Sequence, residues 1–265
     1  MSIATKLVIG LLTAGLMGSV SAQEVISMKK ASDFAKNSKL TQGKDVLVIK
    51  GTSCFVTSKN YTLDPSKKYK LSGDIRCAAG KPVTALIGLA PYAANNRAIG
   101  APAVYSVNKS FTVVAVAAKK GDKVIKVKDA SGWNLKNRYA HIALGAKADL
   151  SDLPNFNTLS TVVPNVKRNG NVWDVILNAP LKKDIAAGTS VRQHFSGSSY
   201  IYTIATKATP QWTTRKGVIS GVAKHGVPGN KLWAGTKTVK GLILLLNGDK
   251  DSVTEIRNLK LEVVK

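Results

Sequence analysis

Residues able to do chemistry are few in this chain, and they are far apart. The three histidines, His141, His194 and His225, form no His-x-His or His-x-x-x-His pair, so their spacing points to structural roles rather than metal ligation. No Gly-x-Ser-x-Gly elbow, Walker-type phosphate loop or dinucleotide fingerprint occurs. Glycoside hydrolysis needs two placed carboxylates. The closest pair, Asp149 and Asp152 before Pro154, reads more simply as turn formation and capping. Asn247, Asp249, Asp251 and Glu255 have the spacing of an opening EF-hand loop. However, Ser252 stands at its glycine position and Asn258 at its last acidic position, and Asn247-Gly248-Asp249 reads as a hairpin turn. No metal and no cofactor is expected.

Charge and aromatic rings carry more information. The 265 residues hold 39 Lys+Arg against 15 Asp+Glu, a net charge of +24. From Ile185 to Gly248 there is no Asp or Glu, while Arg192, Lys207, Arg215, Lys216, Lys224, Lys231, Lys237 and Lys240 are present. Unopposed cations steer anions toward a surface, and aromatic faces offer flat apolar platforms for sugar rings. The first expectation is therefore a non-catalytic module for an anionic polysaccharide or cell-surface glycan. In it Tyr92, Trp212 and Trp233 would stack on sugars, while Arg97, Arg215 and Lys216 would pair with carboxylate or sulfate. Tyr92 and Arg97 enter because Pro91–Gly100 reads as a polar loop. A polysaccharide lyase is an alternative, with Arg192, His194, Tyr200 and Tyr202 supplying a cation and a proton carrier. A structural or adhesive surface protein is another, attached by charge alone. No recognition-helix pattern accompanies the charge, so no specific nucleic-acid partner is expected.

The elements that must position these residues read as β almost throughout. Tyr69, Leu71, Ile75 and Cys77 alternate with polar residues, as do Ile125 and Val127, and Leu259, Leu261 and Val263. That is the period-two signature of half-buried strands. Asp45–Lys50 and Gly241–Leu246 are apolar runs of strand length. Asn169-Gly170 between Val162–Lys167 and Val172–Leu177 signals a hairpin. The one helical candidate is Met28–Lys36. Residues 23–118 supply strands lacking a closing partner, 119–194 have their own compact rhythm, and 195–265 resume with long apolar strands. The reading is an all-β sandwich interrupted by a small β-barrel-like insert, with two sequential domains split near Lys119 as the competing arrangement.

The N-terminus has a basic start, an apolar run Leu7–Gly18 and small residues Val20-Ser21-Ala22, the pattern of a signal peptide cut at Gln23. The chain is thus expected to be secreted or periplasmic, and no other segment is long and apolar enough to span a bilayer. In an oxidising compartment Cys54 and Cys77 are expected to form a disulfide, closing a loop worth about 3 kcal/mol. Two free buried thiols are the alternative.

Tyr69-Lys70-Leu71-Ser72-Gly73-Asp74-Ile75-Arg76 resembles an early strand of secreted carbohydrate-binding jelly rolls with galactose-binding-like topology. Val239–Leu246 followed by Ile256–Val263 is similar to their last two strands, and Gly121–Trp133 resembles small β inserts of bacterial secreted and phage-surface proteins. The resemblance implies a jelly-roll sandwich and a carbohydrate partner. Its last strand often carries an acidic residue that helps hold calcium, whereas this chain has Arg257-Asn258 there.

Overall fold

The structure, a computed structural model, describes residues 23–264, so the expected signal segment lies outside the described residues. Four short strands come first: β1 (Glu24–Ser27), β2 (Leu40–Gln42), β3 (Leu47–Lys50) and β4 (Cys54–Val56). Two longer strands, β5 (Lys68–Ala79) and β6 (Thr84–Tyr92), lead to a single helical turn, α1 (Ala101–Val104). The chain then builds β7 (Thr112–Val113), β8 (Val124–Val127), β9 (His141–Leu144), β10 (Thr158–Asn169), β11 (Val172–Leu177) and β12 (Ser190–His194). It finishes with β13 (Ile201–Lys207), β14 (Thr213–Ser220), β15 (Thr238–Leu246) and β16 (Val253–Val264).

The fold is all-β. Its larger sandwich sheet has the order β14-β5-β16-β3-β2 with β1 added to β16, and the smaller has the order β13-β6-β15-β4. From β3 to β6 and again from β13 to β16 the sandwich strands alternate between the two sheets, as in a jelly roll, while β6 and β13, on either side of the barrel strands, pair within the smaller sheet. The alternation read in the sequence decides the faces: Tyr69, Leu71, Gly73, Ile75 and Cys77 are buried while the residues that alternate with them are not. Gly73 sits at an inward position because a Cβ there would press on Leu259 Cδ1 at 2.9 Å. Leu71, Ile87, Leu89, Ile243, Ile256 and Leu261 fill the space between the sheets, each burial contributing about 1.5–3 kcal/mol.

The intervening strands form one sheet of order β7-β12-β9-β10-β11-β8. A bridge between Val114 and Val127 joins its two ends. The Lys128 N–H donates to Val113 O at 3.0 Å and the Ala115 N–H to Lys126 O at 2.8 Å. The sheet is therefore a closed antiparallel barrel, and closure leaves no free edge. Its own core comprises Val114, Ile125, Val127, Ile142, Val175 and Val191 among others. Val114 and Ala118, which the sequence reading left on the sandwich side of Lys119, belong to this core. The hairpin forms with Asn169 opposite Val172, so its two-residue loop is Gly170-Asn171, with Gly170 at φ 59°. Glycine at the first loop position supplies that left-handed backbone without strain.

Chain entry to and exit from the barrel run side by side. The Val107 N–H donates to Gln193 O and the Phe195 N–H to Tyr105 O, both at 2.9 Å.

Two expectations are corrected. Met28–Lys36 is not an α-helix; only a 3-10 turn, Ala31–Asp33, forms there. The Lys29 and Lys30 N–H groups donate instead to the Asp33 carboxylate, and Met28 is wholly buried against Gly241 in the sandwich core. Packing overrides a short amphipathic pattern. The disulfide is also absent: Cys54 and Cys77 are free. They lie on different sheets, Cys77 turned into the core and Cys54 exposed on the outer face of the smaller sheet. Face-to-face sheets stand about 10 Å apart, and the two side chains point the same way rather than toward each other, so no bridge can close.

Candidate functional site

The outer face of the smaller sheet gathers the tyrosines. Leu89, Ile87, Ile243 and Leu245 point inward, which turns Gly88, Ala90 and Tyr92 of β6 and Thr238, Lys240 and Leu242 of β15 outward. Register places Tyr202 beside Gly88, Gly88 beside Leu242, Ala90 beside Lys240, and Tyr92 beside Thr238. A bulge between Tyr202 and Ile204 carries the β13 backbone over Gly88, where a Cβ would overlap the Ile201 carbonyl. Glycine is what lets the strand cross there.

Tyr200 completes the face from the segment leading into β13. The Ser198 hydroxyl donates to Tyr200 O at 2.7 Å and accepts the Tyr200 N–H at 3.2 Å, fixing that turn. The Tyr200 and Tyr202 rings meet edge to face with centroids 6.1 Å apart. The Cys54 thiol donates to the Tyr200 hydroxyl at 3.7 Å. The Lys240 ammonium stands 6.0 Å from the centre of the Tyr92 ring. Between Tyr92 and Tyr200 a cavity of about 380 Å³ opens over Ala90, Pro91, Ile99 and Gly100. Burial pushes the Tyr200 phenol up to about 12, with the Cys54 contact adding to it. Burial also raises Tyr92 and Tyr202. All three hydroxyls therefore stay neutral at ordinary pH and can both donate and accept hydrogen bonds. Rings, neutral hydroxyls and one ammonium offer stacking surface, hydrogen bonds and a positive charge.

Of the six residues singled out as ligand-binding, only Tyr92 lies on this face. Trp233 is fully buried in the sandwich core, its indole N–H donating to Pro228 O at 3.2 Å, so it cannot stack on a sugar. Trp212 lies against the opposite sheet, with the Arg257 and Arg76 guanidinium carbons 4.3 and 4.8 Å from its ring centre. Its face is already met by the chain's own cations. Arg97 covers the Phe156 ring at 3.9 Å. Arg215 turns toward the gap between the sheets, its Nε–H donating to Thr206 Oγ1 at 2.9 Å. Lys216 is exposed on the neighbouring outward position of β14, beside Ser72 of the larger sheet. The set is spread over both faces and the core.

The lyase residues do not converge either. Arg192 and His194 are buried where the barrel meets the sandwich, away from the tyrosine pair. The Arg192 Nε–H donates to His194 Nε2 at 3.0 Å, and its terminal nitrogens reach Lys147 O and Asp152 at 2.8 and 2.9 Å. His194 Nδ1 lies 2.7 Å from Pro102 O and must carry the proton, because Nε2 accepts. Burial lowers the His194 pKa to about 4, with the Arg192 charge adding to it. Burial opposes ionisation of Asp152, but hydrogen bonds from Asn155, the Lys147 N–H and Arg192 outweigh it and hold the pKa low. His141 is the cross-strand neighbour of His194, and His225 approaches Ser106 Oγ at 3.3 Å. The histidines thus serve this junction. Asp149 accepts the Ser151 N–H, as a turn residue does. In the EF-hand-like stretch Asp249 accepts from Ser252 and the Asp251 N–H, while Glu255 pairs with Arg76 at 2.7 Å.

Tyr200, Tyr202 and Lys240 were each visible in the sequence but not as one site. Tyr200-Ile201-Tyr202 flanks a buried isoleucine at period two, which puts both rings on the same side of the chain. That pattern was the available signal. Their joining with Tyr92 and Cys54 depends on strand order, which local pattern does not give.

The fold and this face define a jelly-roll sandwich with a tyrosine-lined sheet and a barrel insert. No protein-family model and no curated protein matches the chain. Among solved structures it is similar to the family 11 carbohydrate-binding module of the cellulosomal cellulase Lic26A-Cel5E of Clostridium thermocellum, at 11% identity. The match covers 93% of this chain and 97% of that one with a TM-score of 0.32. At that score the fold rests on its own sheets and the ligand on its own residues.

Proposed function

We propose that this is an exported, non-catalytic binding protein for an anionic polysaccharide, and that it binds through the outer face of the smaller sandwich sheet. The observation that carries the reading is the grouping of Tyr92, Tyr200 and Tyr202 with Lys240 in a stretch of sheet that has no carboxylate among its outward residues. Rings supply stacking surface, phenols supply neutral hydrogen bonds, and Lys240 selects carboxylate or sulfate over a neutral sugar. The signal-like N-terminus supports export, and the separate core of the barrel supports its being an inserted folding unit.

Affinity electrophoresis in gels containing uronic, sulfated or neutral glycans tests this. Retention by an anionic glycan is expected, weakened about tenfold by Tyr200→Ala and reduced to the neutral-glycan level by Lys240→Gln. Absence of retention at low salt on every glycan overturns the proposal. So does retention that falls steeply with salt yet ignores all three tyrosines, which is the behaviour of a surface attached by charge alone.

A further inference from the structure

The barrel carries a second concave site, independent of the tyrosine face. A cleft of about 430 Å³ opens at the barrel mouth between β9, β10 and the 179–185 loop. For scale, an apolar cavity of roughly 150 Å³ accepts benzene. Its floor is apolar: Leu144, Leu181 and Ile185 belong to the barrel core, and half-buried Leu159 packs against them. Barrel mouths are common places for small ligands.

The rim is cationic on one side. Lys182 and Lys183 line it, and neither has an ion-pair partner among the described residues. The only carboxylate of that loop, Asp184, is committed elsewhere. It accepts the Lys120 N–H at 2.8 Å and the Lys119 ammonium at 3.0 Å. An open apolar floor beside two unopposed ammonium groups complements one kind of molecule. We infer that the barrel mouth binds a small amphipathic anion, its apolar chain or ring seated on Leu144, Leu159 and Leu181 and its carboxylate held by Lys182 and Lys183.

Octanoate is the probe, titrated into the full chain while the methyl resonances of Leu144, Leu159, Leu181 and Ile185 are followed by NMR. Saturable shifts confined to these methyls are expected. Octanol should bind about tenfold or more weakly, since it lacks the charge-assisted contact. Lys182→Gln/Lys183→Gln should bring octanoate down to the octanol level. Ala179→Trp, at an exposed position on the cleft wall, should fill the space and remove the shifts. Octanol binding as tightly as octanoate, octanoate binding unchanged in the double lysine variant, or no saturable shift overturns the inference. Loss of glycan retention in tyrosine variants has no bearing on it, so the two sites fail separately.

Discussion

At the scale of single residues, burial separates two aromatic side chains that composition treats alike. Trp233 fills the core, and Trp233→Ala should cost about 3–5 kcal/mol of stability, read as a fall in Tm. Tyr200→Ala should leave Tm nearly unchanged while weakening glycan binding about tenfold, the ordinary effect of removing a central aromatic contact. Trp212→Ala should leave binding intact, because its ring already meets Arg76 and Arg257. The thiols follow the same logic. Cys54 should react with a thiol reagent in the native protein and Cys77 only on unfolding; a native protein with no reactive thiol would contradict the free, outward Cys54. Residue types were readable in the sequence, but their facing was not. Tyr92 was found because Pro91–Gly100 reads as a polar loop, although Pro91 and Tyr92 themselves end strand β6. Trp233 was misread because an acid-free stretch says nothing about which of its rings are covered.

At the scale of elements, period-two alternation located β5, β8 and β16, and Asn-Gly located the β10–β11 hairpin. Strand identity lies in the local chain. The failure at Met28–Lys36 has the opposite cause: nine residues are too few to hold a helix against strand β16 and the core. Strand β12 makes a pH-dependent contribution that no pattern announces. His194 has a folded pKa of about 4 against roughly 6.5 when unfolded. Since the folded value is the lower, the unfolded chain takes up the proton first as pH falls. Stability from this group is full above about pH 6.5, declines toward pH 4, and is lost below it. Between pH 7 and 5, above the range where most carboxylates titrate, the loss should be about 2 kcal/mol. Denaturant melts at those two pH values test this. His194→Gln should remove that part of the slope while leaving the smaller share due to His141, whose pKa is also lowered by burial. A slope unchanged in the variant would contradict the neutral, buried imidazole. Gly88→Ala belongs to this scale too. Its Cβ would collide with the Ile201 carbonyl, so β13 should lift from β6, costing about 2–4 kcal/mol and glycan retention together.

At the scale of the whole molecule, the interruption was legible because the two halves of the sandwich are each incomplete. The strands of residues 23–118 leave β6 unpaired on both sides, and β13 and β15, from beyond the barrel, take the two places beside it. What the sequence could not supply is how the barrel sits on the sandwich. That depends on groups brought together from afar: the Asn155 N–H with Ala103 O at 2.8 Å, His194 with Pro102, and the Phe195 ring between Tyr105 and Tyr139 at centroid distances of 4.9 and 5.6 Å. The two cores share no residue, although Leu153 and Phe156 of the insert pack against the sandwich core. Entry and exit are one bridge apart, Ser106 with His194. Replacing residues 107–193 by a short Gly-Ser turn then closes a gap the native backbone already spans, at little entropic cost. The shortened chain should fold cooperatively, lose the octanoate site, and keep glycan retention that still depends on Tyr200. A shortened chain that is soluble and folded but no longer binds glycan would move the site onto the barrel. One that fails to fold would show that the sandwich depends on its contacts with the insert, among them Leu153 and Phe156 against the sandwich core.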